Sequence, residues 1–121
     1  MRGCLDALKT LARALALYLK SSGQKTLSIS SLTGQESIKI AFRALARFHD
    51  SSFGYPLFSE AMVTLLLEGT SWLEKINWRV ILTGDEAYLV VPLDFAKEFL
   101  NAEEEVILKY MLNSGACREK M

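Results

Sequence analysis

The sequence predicts an α+β fold: a mostly helical single domain, residues 1–121, with one antiparallel β-hairpin at about 78–91. Three observations predict it. Leucines recur at spacings of three and four between residues 5 and 20, the period of one helix face. Two β-branched and aromatic arms, residues 78–83 and 87–91, flank Gly84-Asp85-Glu86, where Gly84 supplies the positive φ of a tight turn. Finally, 121 residues with 50% hydrophobic and 23% charged side chains have the composition of one globular domain.

The elements follow in order. Leu5, Leu8, Leu11, Leu15 and Leu19 mark a first helix, and Ser21-Ser22-Gly23 is expected to end it. Thr26-Leu27-Ser28-Ile29-Ser30 alternates and reads as a third short strand at 26–30. Thr33 with Glu36 has capping-box spacing and opens a second helix whose buried face is Ile38, Phe42 and Leu45. Residues 50–56 form a loop by composition. Ser59 caps a third helix, 60–68, which Gly69 terminates, and Ser71 with Glu74 starts a short helical turn. After the hairpin Pro92 ends the strand, Asp94 caps a helix to Leu100, and Asn101 with Glu104 restarts it. Residues 115–121 read as a flexible tail. The expected core is Leu8, Leu11, Leu15, Ile38, Phe42, Leu45, Met62, Leu65, Leu66, Val80, Leu82, Val90, Phe99, Val106 and Tyr110.

Counting excludes most chemistry. One histidine cannot build a multi-histidine centre, and two cysteines cannot build a zinc ribbon. His49-Asp50 offers at most two ligands, and the pair reads as a helix-end histidine beside the last carbonyls. Glu103-Glu104-Glu105 suits the positive end of a helix dipole. The serines sit in no nucleophile-elbow pattern. No catalytic residue, metal or cofactor is therefore expected. Cys4 and Cys117 read as free thiols, with a disulfide between them open if the termini meet. No transmembrane run and no secretory signal is visible, so the expected setting is cytoplasmic. Only five amides (Gln24, Gln35, Asn77, Asn101, Asn113) suggest a thermophilic source.

Charge is segregated along the chain. Residues 1–50 hold eight basic and three acidic residues, net +5, and residues 51–121 are net −5. Lys39, Arg43 and Arg47 recur every four residues and form one ridge if the second helix is continuous, as do Lys9 and Arg13 on the first. Clustered cations on one face are the footprint of phosphate-backbone contact, with solvated helix faces as the plain alternative. Phe53, Tyr55 and Phe58 crowd one loop. They read either as a lid on the core or as a stacking or docking platform.

Helix, short strand, helix, helix, hairpin is the element order of a winged helix. The third helix, which would enter the major groove, carries Glu60 and Glu68 and no cation. A winged-helix-like fold would therefore have given that face to protein contact, as an adaptor or dimerisation module. The basic amphipathic stretch Glu36-Ser37-Ile38-Lys39-Ile40-Ala41-Phe42-Arg43-Ala44-Leu45-Ala46-Arg47-Phe48, in a short chain, resembles the small subunit of archaeal type I CRISPR surveillance complexes, which act in antiviral defence. That resemblance covers about a tenth of the sequence. It implies a non-catalytic subunit that packs against other protein subunits and touches RNA or single-stranded or duplex DNA backbone through basic helical faces, with no membrane contact.

Overall fold

The computed structural model describes residues 3–117. It is α+β, with a three-stranded antiparallel sheet and a helical layer. The elements are α1 (Cys4–Tyr18), α2 (Gln24–Leu32), β1 (Ser37–Ala41), α3 (Phe42–Ala46), α4 (Phe58–Leu67), α5 (Ser71–Lys75), β2 (Arg79–Thr83), β3 (Glu86–Pro92), α6 (Leu93–Glu98) and α7 (Glu104–Asn113).

The first helix does not stop at Ser21-Ser22-Gly23. A π-helical turn, Leu19–Gly23, carries it without a break into α2. Weak local propensity is overridden by packing: Leu19 and Gly23 are buried. Leu100 closes over Gly23, where a Cβ would lie 2.6 Å from its Cδ1. Consequently residues 26–30 are helical, not a strand. Leu27 and Ser30 are buried at helical spacing, while Ile29 is exposed.

The third strand lies later. Thr33 ends α2: its hydroxyl donates to the carbonyls of Ile29 and Ser30, at 3.0 and 3.2 Å. Gly34 then turns the chain at φ +72°. What read as a helix start is thus a helix stop. Residues 37–41 form β1, with Ile38 and Ile40 buried and Lys39 exposed between them. Only Phe42–Ala46 remains helical from the expected second helix.

The hairpin at 78–91 forms as expected, with Thr83 opposite Glu86 across Gly84, whose φ is +60°. Strand order is β1-β3-β2, all antiparallel. Ile38, Ile40, Val80, Leu89 and Val91 line the inner face and pack in or against the core. Lys39, Val90 and Arg79 form one row across the outer face, and Ala41, Tyr88 and Ile81 form the next. Three helices, α3, α4 and α5, lie between β1 and the hairpin, one more than the winged-helix order has, and α6 and α7 follow the hairpin.

α1 is the central helix, packed against both α4 and α7. Leu8, Leu15, Ile107 and Met111 are fully enclosed there. An aromatic cluster closes the other end: Trp78 lies 4.8 Å from Phe95, and Phe99 lies 4.9 Å from Tyr110, ring centre to ring centre. Of the expected core, Phe42, Leu66, Val80 and Tyr110 are half-buried, and Leu82 and Val106 are exposed at 78% and 49%. Leu82 stands where the hairpin projects beyond the helices, exposed from Leu82 through Asp85. Val106 yields to Ile107, which the phase of α7 turns toward α1.

Cys4 and Cys117 are disulfide-bonded, contrary to the free-thiol expectation. The pairing of α1 with α7 brings the start of the chain to its end. Residues 115–117 are correspondingly not a loose tail: Ala116 is fully buried. Residues 118–121 of the expected tail lie outside the described residues.

Candidate functional site

The expected ridge of Lys39, Arg43 and Arg47 is not one helix face. Lys39 is on β1, Arg43 is on α3, and Arg47 lies just past its end. The sheet nevertheless draws the first two together. Lys39 Nζ sits 4.5 Å above the ring centre of Tyr88, and Arg43 donates to Glu86 at 3.0 Å, two residues before Tyr88 on β3. Arg47 is exposed, and among the described residues no acid forms an ion pair with it. Arg79, across Val90 from Lys39, adds an exposed cation that helix-based reasoning did not group with them.

Lys9 and Arg13 do share one face of α1. Arg13 is nevertheless committed internally. Its Nε lies 3.1 Å from Asp50 and its Nη1 2.8 Å from Glu104. Asp50 also accepts from the Ser52 amide at 2.9 Å. Hydrogen bonds from the Ser52 hydroxyl and amide, outweighing partial burial and helped by Arg13 and then His49, hold the Asp50 carboxyl below its ordinary range. Lys9 faces a shallow cleft shared with Phe53, Glu104 and Glu105. Among the described residues, three ion pairs join the basic half to the acidic half: Arg13–Glu104, Lys20–Glu103 and Arg43–Glu86. These three pairs, all partly exposed, offset part of the charge segregation.

The aromatic loop folds inward. Tyr55 and Phe58 are each 4% exposed, so neither ring offers a stacking surface. The Tyr55 hydroxyl donates to the Gly3 carbonyl at 3.1 Å, and Phe58 meets Phe42 edge-on at 6.0 Å. Phe53 is half-buried in a 3-10 turn, Ser51–Phe53. His49 Nε2 lies 2.7 Å from the Tyr55 carbonyl and donates to it, so the histidine braces this loop instead of capping a helix end.

The outward face of α4 has a different character. Leu57 precedes the helix as its cap, and its amide donates to Glu60 at 3.2 Å, so Ser59 is not the capping residue. Ala61, Met62 and Leu65 face the core. Glu60, Val63 and Leu67 face solvent at helical spacing, with Val63 55% and Leu67 81% exposed. The run Leu65-Leu66-Leu67 contained this signal, because three consecutive helical residues cannot all face one core. Among the described residues no group of three or more His, Cys, Asp or Glu is placed to hold a metal ion, and no helix is long and apolar enough to cross a membrane. Comparison with protein-family models, with curated proteins and with solved structures finds no match.

Proposed function

We propose that the chain is a non-catalytic protein-interaction module of winged-helix-like order that docks a protein partner on the outer face of α4. The observation that carries this reading is the composition of that face. Val63 and Leu67 are exposed beside Glu60, and no cation of α4 could meet a phosphate. The internal pairing of Arg13, Lys20 and Arg43 supports it by lowering the positive potential of the basic half.

A second reading, a subunit of a nucleoprotein complex, rests on the outer sheet face. Lys39 and Arg79 flank Val90 there, Tyr88 lies in the next row, and Arg47 is exposed just past α3. A half-buried tyrosine beside exposed cations suits contact with a single strand. A cytoplasmic setting accords with the Cys4–Cys117 disulfide where intracellular disulfides persist, as in hyperthermophiles, and the amide-poor sequence supports that source.

Two measurements separate the readings. Cross-linking in native extract should give an adduct with the wild type that is lost in Val63→Glu/Leu67→Glu while the thermal midpoint is retained. Binding to a single-stranded oligonucleotide at two salt concentrations should be weak for both proteins. Salt-sensitive binding that Lys39→Glu/Arg47→Glu abolishes, with α4 variants silent, would overturn the adaptor reading in favour of the second.

A further inference from the structure

β2 is an edge strand, and its free side has the features of a self-pairing surface. Thr83 and Glu86 close a two-residue hairpin as a hydrogen-bonded pair. Alternation then makes Ile81–Tyr88 and Arg79–Val90 the other bonded pairs. The amides and carbonyls of Val80 and Leu82 therefore point away from β3. No hydrogen bond from another described element reaches them. The opposite edge, β1, is instead flanked by α2 and α6.

Beside this free edge runs a groove of about 510 Å³, lined by Leu66, Leu73, Trp78 and Val80 among others. Leu82, 78% exposed, projects from the same face of β2 as Val80. One copy thus carries both an apolar knob and, along the same strand edge, a groove of apolar side chains with Thr70, Glu74 and Arg79 also in its lining.

We propose that two copies pair β2 to β2, antiparallel, about a two-fold axis at Ile81, forming a continuous six-stranded sheet. The register follows from the hydrogen-bond parity. With Ile81 opposite Ile81, Val80 of each copy meets Leu82 of the other, and all four outward amides and carbonyl pairs are used. Shifting the axis by one residue leaves one outward residue of each strand opposite a turn or strand-end position. In the chosen register the exposed Leu82 lies over Val80 of the second copy, at its groove. On the outer face Arg79 lies beside Thr83 of the second copy, so the pairing sets no like charges directly opposite one another; Glu86, across from that threonine, already pairs with Arg43 of its own chain. Such a contact is isologous, so it closes at the dimer.

This pairing is centred on the β2 edge and adjoins the α4 face only through Leu66; it does not depend on Val63 or Leu67, so the Val63→Glu/Leu67→Glu variant should still dimerise. Sedimentation equilibrium over a concentration series should give a monomer–dimer equilibrium. Leu82→Pro removes only an outward amide and the exposed side chain, leaving the β2–β3 bonds intact, and should weaken association at least about tenfold. Leu82→Lys should do the same and serves if the proline variant fails to fold. Ile81→Cys should cross-link to a covalent dimer on oxidation, because a non-bonded antiparallel pair sits about 4.5 Å apart, within disulfide range. Thr83→Cys should not. A monomer at every concentration, a dimer indifferent to both Leu82 variants, or cross-linking through Thr83→Cys instead of Ile81→Cys would each overturn the proposal.

Discussion

Arg13 shows how one side chain can unite distant parts of a chain. From the middle of α1 it reaches Asp50 in the loop after α3 and Glu104 in the first turn of α7. A phosphate contact at this position would first have to displace two carboxylates. Asp50 in turn anchors the Ser51–Phe53 turn through the Ser52 amide. Because its native pKa lies below the ordinary 3.8, its stabilisation is complete above that value. It is lost as pH falls through the lower native value. Asp50→Asn should therefore melt earlier than the wild type at about pH 6, and the two melting temperatures should converge on acidification toward about pH 2. A gap that stays constant or widens on acidification would contradict the arrangement. Nothing in the local sequence named Arg13 as the partner, since Asp50 and Glu104 lie 37 and 91 residues away.

At the level of elements, β1 carries the largest departure from the sequence reading. The stretch 37–48 satisfies two periods at once. Ile38, Phe42 and Leu45 suit a helix, while Ile38 and Ile40 suit a strand. Pairing with β3 decides in favour of the strand, because Ile38 and Ile40 then meet Val91 and Leu89 across the ladder. The consequence is measurable at Ile40, 1% exposed, which the helical reading left out of the core. Ile40→Ala should cost about 2–5 kcal/mol in chemical denaturation, and Lys39→Ala should stay within about ±0.5 kcal/mol. Similar, small effects at both positions would restore the helical reading. The hairpin, by contrast, was legible, because a positive-φ glycine between two β-branched arms leaves few alternatives. The helix through residues 19–32 was not, because Gly23 is retained there for the approach of Leu100 and its local signal reads as a stop.

On the scale of the whole molecule, two devices tie the halves together. Ion pairs run from α1, the π turn and α3 to β3 and the start of α7. These pairs are partly exposed, and each contributes within about 1 kcal/mol. The disulfide contributes more, since it spans 113 residues and so restrains nearly the whole unfolded chain. Reduction, or Cys4→Ser with Cys117→Ser, should cost about 2–5 kcal/mol. That corresponds to a fall in melting temperature of at least about 6 °C, read by calorimetry with and without reductant. An unchanged melting temperature would mean that the bridge does not support the fold.

Some properties were determined by the sequence alone. Period and turn chemistry specified the first helix, the hairpin and the α+β class. These are local or compositional, so no partner in space is needed to read them. Tertiary structure decided the rest. It placed the third strand at 37–41, joined Cys4 to Cys117, buried Tyr55 and Phe58, and matched Arg13 and Arg43 with acids of the other half. It also left Val63, Leu67 and Leu82 uncovered. A side chain's charge and apolarity belong to the sequence, but whether they face solvent depends on residues far along the chain, which only packing brings together.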